Sequence, residues 1–365
     1  MLLGRGAAHG ADPFSHPVGQ VEEILPNFNQ TLFAPVGVTL PTRYSAPVSG
    51  THSRHPAAGG RGRLPIVDSA LEGETPFRLQ RRFDRLGRLY GEAAIERLMH
   101  ARVVVFGLGG VGGFAAEALA RSAIGHLMLV DFDEVCITNT NRQLQALADT
   151  VGKSKAVLLR QRLRLINPQA QVDASELFYD ADTSDALLTS PWPGPTPTYD
   201  FVVDCIDNLK SKAHLLATCQ RRSIPVVSSM GAGGKIDPTR IRIADLGQTD
   251  VCRLAHQLRK NLRQKHGLPH GREPMGIAAV YSEEKRLWPR RLSYDGEAGF
   301  RCLCPQKHPR HNCEERALID GTTVFVTGAF GLACAAHVVN TLVGDLPETA
   351  PPEPPRPPRV RRKST

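Results

Sequence analysis

The segment that most restricts the fold runs from Arg102 to Asp131. Arg102-Val-Val-Val-Phe106 is a short apolar run that stops at Gly107-Leu-Gly-Gly-Val-Gly112. Such a run, without polar alternation and cut off by glycines, has the pattern of a parallel strand buried on both faces. Residues 110–122 then set small and apolar side chains at helical spacing, and Leu127-Met-Leu-Val130 is a second buried run ending on Asp131. Strand, glycine turn, helix and strand make a βαβ unit, because parallel neighbours need a crossover helix.

The alternation continues downstream. Residues 154–166 are expected as a helix, 171–178 as a strand, 200–204 as a buried strand, 210–222 as a helix and 225–230 as a strand. Upstream, residues 84–100 carry Leu86, Leu89, Tyr90, Ala93, Ala94 and Leu98 at helical spacing. Residues 190–198 are proline-rich and are expected as a surface loop. Residues 245–266 are expected as a basic amphipathic helical region, and 322–342 as a small-residue helix. Alternating strands and helices predict an α/β fold with a doubly wound, mostly parallel, Rossmann-like sheet.

The two ends differ from this core. Residues 1–76 show no sustained periodicity and are rich in turn formers, which predicts a disordered extension. Asp12, Glu22 and Glu23 are the only acids in the first 67 residues, so a transit segment is an alternative, and the compartment is cytoplasmic or mitochondrial. Residues 77–346 form the expected catalytic domain, and 347–365 a Pro/Arg-rich disordered tail. The net charge of +9 favours a polyanionic partner, although the tail supplies part of the excess. Eight cysteines in 365 residues do not suggest a disulfide scaffold. No stretch reaches the ~18 consecutive apolar residues of a membrane span.

The glycine loop has two readings. Gly107, Gly109, Gly110 and Gly112 let backbone N–H groups approach phosphate oxygens at a helix N-terminus. Asp131, at the end of the next strand, suits ribose hydroxyls. That set fits a nicotinamide dinucleotide as well as ATP. Thr138-Asn-Thr-Asn-Arg-Gln143 and Val151-Gly-Lys-Ser-Lys155 favour nucleotidyl transfer. Charge building on an α-phosphate and on departing pyrophosphate calls for fixed cations, and Arg142 and Lys155 are suited to it. Asp207, after the 200–204 strand, suits Mg²⁺, and Asp204 is expected to orient the local backbone. Cys302, Cys304, His308 and Cys313 are compact enough to hold Zn²⁺, but the spacing is not C-x-x-C and a reduced loop with incidental thiols is the alternative.

Taken in order, G-L-G-G-V-G, V-D-F-D, N-R-Q, V-G-x-x-K, I-N-P and D-C-I-D-N resemble the ubiquitin-activating-enzyme superfamily of adenylating enzymes over residues 80–345. The resemblance implies ATP contacts at the loop glycines, Asp131, the run from Thr138 through Asn139, Asn141 and Arg142 to Gln143, Lys155, Asp207 and Asn208. It also implies a homodimer in which a partner arginine reaches the phosphates. Arg85 matches that position and Arg88 fits it less well.

R-L-Y-G at residues 88–91, T-N-T-N-R-Q at 138–143 and G-A-G-G-K-I-D-P-T at 231–239 are most similar to the tRNA threonylcarbamoyladenosine dehydratase family. That likeness implies adenylation of a nucleoside carboxylate beside the tRNA anticodon, then ring closure with loss of AMP and no catalytic cysteine. Arg253, Arg259, Lys260, Arg263 and Lys265 then become tRNA backbone contacts rather than a solvated helix face. The competing expectation is an activator of a ubiquitin-like or sulfur-carrier protein, with a sulfur-transfer or redox partner.

Overall fold

In the computed structural model, residues 80–292 and 319–345 are described. The expected extension, the tail and the Cys302–Cys313 cluster lie outside the described residues. The described chain runs α1 (Asp84–Tyr90), α2 (Glu92–His100), β1 (Arg102–Phe106), α3 (Gly112–Arg121), β2 (His126–Val130), α4 (Lys155–Ile166), β3 (Gln171–Ser175), α5 (Ser184–Leu187), β4 (Phe201–Asp204), α6 (Leu209–Arg221), β5 (Val226–Ser229), β6 (Ile241–Asp245), α7 (Arg253–His266), β7 (Ala278–Ser282) and α8 (Val324–Val343). The strand order is β3-β2-β1-β4-β5-β7-β6, with every pairing parallel except β6 with β7.

The pleat explains why β1 has no polar alternation. Val103 and Val105 enter one core, with α2, α3, α4 and α8. Val104 and Phe106 enter the other, with α6 and α7. Helices on both faces bury every residue of the strand, the reason parallel strands read as continuous apolar runs. The order reverses between β1 and β4, since β1 is followed in the sheet by β2 on one side and β4 on the other. Ligands of open α/β sheets bind at the carboxyl ends of strands at this reversal.

Several expectations are corrected. Residues 84–100 form two helices, because Gly91 takes φ 84° between α1 and α2. The third strand ends at Ser175, three residues early, and Phe178 instead packs edge-on against Phe132 at 4.9 Å. The 245–266 region divides into the last residue of β6, a 3-10 turn at Leu246–Gln248 and α7. The 190–198 loop is more than a surface insertion. Its Trp192 is buried, and Thr196 O accepts from Arg102 Nη1 at 2.8 Å. Asp200 completes the lock on that buried arginine at 2.7 Å.

α8, although Thr327, His337 and Asn340 interrupt its apolar run, has the length and average composition of a membrane span, and 56% of that window is buried. Its buried face carries Val326, Phe330, Cys334 and Val338 into the α3-side core. It is a central helix of this fold.

Candidate active site

The glycine loop begins where β1 ends. Gly107 has φ +82°, and a Cβ there would lie 2.7 Å from the Cys205 carbonyl oxygen. A Cβ on Gly112 would overlap the Gly107 carbonyl oxygen. Only glycine permits a turn this tight, with backbone open to a ligand. Asp131 fixes the loop from the end of β2. Its carboxylate accepts from Leu108 N at 2.5 Å and from Asp133 N at 2.8 Å. Each oxygen uses one of its lone pairs this way, so an acceptor remains for ribose hydroxyls. Burial pushes the Asp131 carboxyl up, and the nearby Lys155 ammonium opposes that.

Lys155 opens α4 and is buried. Its Nζ lies 2.8 Å from Asp133 Oδ2, and Lys155 N donates to Asp133 O at 3.1 Å. Burial pulls its pKa down, but Asp131, Asp133 and Asp207 outweigh that, so the ammonium is raised above its ordinary value. The cation is therefore held charged at the floor of the site. Asp133 is a site residue that sequence reasoning missed. Its signal was V-D-F-D itself, since two acids at i and i+2 after a strand can face the same neighbour.

The 138–143 segment lies over the loop. A Cβ on Gly110 would be 3.1 Å from both Arg142 Cγ and Thr327 Oγ1. The Arg142 guanidinium donates through Nη1 to Thr138 O and to Asn141 Oδ1, both at 2.9 Å. Asn141 Nδ2 donates to Thr322 O at 3.0 Å, tying this segment to the approach to α8. Gln145 was also missed. Its Nε2 donates to Leu108 O at 2.6 Å and to Gln143 Oε1 at 3.3 Å, which pins the loop from above.

The other expected residues divide by what their side chains hold. Asn139 is buried, and its Oδ1 accepts from Cys136 N at 2.9 Å, so its side chain shapes the turn. Asn208 caps α6, accepting from Lys210 N and Ser211 N at 3.0 and 3.1 Å. Asp207 is exposed just after β4 and within electrostatic reach of Lys155. Asp204 orients its surroundings as expected: it is fully buried, 2.7 Å from Lys212 Nζ and 2.6 Å from Ser228 Oγ, and accepts from Ile206 N at 3.0 Å. Arg85 is exposed on α1, whereas Arg88 is paired with Asp84 at 2.9 Å. Among the described residues no cluster of histidine, cysteine and acids has the make-up of a metal site.

The basic face of α7 is thinner than expected. Arg259 donates to Thr249 O at 2.8 Å, and Arg263 to Pro269 O at 3.0 Å and to Gly271 O. Those two arginines staple the helix to its flanking loops. Arg253, Lys260 and Lys265 are exposed.

This geometry has close parallels. The ThiF family model matches residues 83–357. The tRNA threonylcarbamoyladenosine dehydratase of Escherichia coli (strain K12) is 37% identical over 265 residues, 72% of this chain and 94% of that protein. The Bacillus subtilis (strain 168) protein of the same name is 36% identical over 264 residues, 72% of this chain and 95% of that one. The crystal structure of the E. coli dehydratase, TcdA, in complex with ATP aligns with a TM-score of 0.60 at 35% identity, covering 72% of this chain and 93% of that chain. The molybdopterin-synthase adenylyltransferase of Salmonella typhimurium is 35% identical over 133 residues, 36% of this chain and 50% of that protein. The chain belongs to the ThiF family and, within it, to the group of the tRNA threonylcarbamoyladenosine dehydratases.

Proposed function

We propose that this chain is an ATP-dependent tRNA threonylcarbamoyladenosine dehydratase that works as a homodimer. The observation that carries the proposal is the gathering of the Gly107–Gly112 loop, Asp131, Arg142 and a buried, charged Lys155 where β1 meets β4. The residues fit ATP. Loop N–H groups and the start of α3 suit its phosphates, Asp131 suits the ribose, and Asp207 suits Mg²⁺ bound against the phosphates. Arg85 from the second copy is assigned to the phosphates as well.

The substrate carboxylate oxygen attacks the α-phosphorus, and the bond to the bridging oxygen of the β-phosphate breaks. Pyrophosphate leaves with the electron pair. Lys155 and Arg142 offset the negative charge on the α-phosphate and on the leaving group, in a site where Lys155 is shielded from water. The substrate's own carbamoyl group then attacks the acyl carbon and gives up a proton to solvent. AMP departs with the former carboxylate oxygen, so the nucleoside loses one water overall. Neither step needs an enzyme nucleophile. Among the described cysteines, Cys136, Cys219, Cys252 and Cys334 are buried and Cys205 is half-buried; burial pushes the Cys219 thiol well up, away from thiolate.

AMP release tests the proposal. It is expected with ATP and tRNA carrying the modified adenosine, and not with the same tRNA lacking the modification. Release that requires a carrier protein instead, with modified tRNA inert, would replace this activity by carrier activation.

A further inference from the structure

The G-A-G-G-K stretch follows β5, at the same sheet edge as the glycine loop and two strands from β1. That is about 10 Å at the usual strand spacing. Its close packing has a clear cause. Gly234 takes φ +69°, and a Cβ there would lie 2.7 Å from both Arg286 Cγ and Leu287 O. Gly234 N donates to Gly321 O at 2.8 Å, and Leu287 N donates to Gly234 O at 2.7 Å. Lys235 is buried and donates to Glu284 O at 2.6 Å. The glycines thus clamp the chain after β7 against the sheet edge.

The clamped chain reads Lys285-Arg-Leu-Trp-Pro-Arg-Arg291, four basic residues beside one tryptophan. Trp288 is 69% exposed, an unusual position for so large an apolar surface. It is held in place: the Arg286 guanidinium sits 4.8 Å from the ring centroid, and Arg286 Nε is anchored on Asp320 Oδ1 at 2.8 Å. Beside it is a cleft of ≈ 270 Å³ lined by Gly231, Lys235, Arg253, Gln257, Arg286 and Asp320, among others. Three cations face one acid there. An exposed aromatic ring interleaved with cations is the surface that single-stranded nucleic acid recognises, with bases on the ring and phosphates on the charges.

We infer that Lys285–Arg291 and the cleft over Lys235 and Arg253 form a single-stranded RNA subsite, in which one base stacks on Trp288 and a neighbouring phosphate enters the cleft. The inference rests on the proposed tRNA substrate and adds where its loop is gripped. Recognition of RNA is thereby assigned chiefly to the clamped segment, with Arg253 the α7 contribution.

Trp288 reports on its own occupancy, because the second tryptophan, Trp192, is buried. The full chain is titrated with an anticodon stem-loop RNA while indole emission and ATP affinity are followed. Wild type is expected to be quenched. Trp288→Phe should keep the RNA affinity and lose the quench. Trp288→Ala should raise Kd roughly 5- to 100-fold, and Arg253→Glu should also raise it, both with ATP affinity unchanged. If wild type binds and dehydrates the modified RNA while Trp288→Ala and Arg253→Glu bind it equally well, the subsite is overturned and the activity stands. If wild type neither binds nor dehydrates it, both fall.

Discussion

Lys155 Nζ lies 2.8 Å from Asp133 Oδ2, so the buried cation of the site is anchored by the carboxylate two residues beyond Asp131. That pairing separates two acids that look equivalent in V-D-F-D. Asp131 holds the glycine loop and is the carboxylate proposed for the ribose, and Asp133 aims the lysine. Replacing Lys155 by Ala should lower AMP formation about 10²- to 10³-fold, the usual cost of losing one group that stabilises developing charge. Asp133→Asn should cost less, about 10-fold, as loss of one charged partner that positions the lysine. Pyrophosphate exchange measured alongside ATP affinity separates the two, because Asp133→Asn is expected to change turnover more than affinity.

The pH dependence of stability follows from the same pair. The folded-state pKa of Lys155 is raised above its unfolded value, so its contribution is fully present below the unfolded value, near 10.4. It is lost as pH rises through the folded pKa. The stability difference between wild type and Lys155→Met should therefore stay flat from pH 7 to about 10 and shrink only above that. Urea unfolding at fixed pH values measures it; a difference that decays between pH 7 and 9 contradicts a charged, carboxylate-held lysine.

Strand β4 ends on a fully buried ion pair, Asp204 with Lys212, both with 0% exposed side chains. Removing one partner strands the other charge in the core. Lys212→Met should cost about 3–5 kcal/mol, read as a lower urea midpoint with unchanged slope. A loss below ~1 kcal/mol, the size of a solvent-exposed pair, would contradict a desolvated ion pair at this position.

Complementation between copies tests the homodimer. Arg85→Ala and Lys155→Ala chains should each be inactive alone. Co-refolded in equal amounts, they should recover up to about a quarter of wild-type activity, because half the dimers are mixed and each holds one intact site. No recovery, with mixed dimers shown to form, would place the Arg85 contribution within its own chain.

Much of the fold was legible because parallel strands announce themselves: Val103–Phe106 and Phe201–Val203 are apolar on both faces, and Gly107 and Asp204 mark where they stop. β6 and β7 gave no such signal. β6 is an edge strand with Arg242 exposed, and β7 is two alanines, a valine, a tyrosine and a serine. Gly91 hid a helix break that only its positive φ reveals. In the site, the residue types of Lys155 and Arg142 pointed to phosphate chemistry. The partners that hold them did not, because Asp133, Gln145 and the Thr322 carbonyl act through tertiary contacts with no fixed spacing. The structural commitment of Arg259 and Arg263 was hidden for the same reason: a helical wheel shows a basic face, not the carbonyls that loops bring to it.

The most direct measurement uses the intact chain, ATP, Mg²⁺ and tRNA carrying threonylcarbamoyladenosine, followed by nuclease digestion and mass spectrometry of the nucleoside. Conversion to a product lighter by one water, one AMP formed per conversion, and loss of conversion in Lys155→Ala is the expected result. Unchanged nucleoside mass under conditions where the chain binds both ATP and the tRNA would contradict the proposed dehydration.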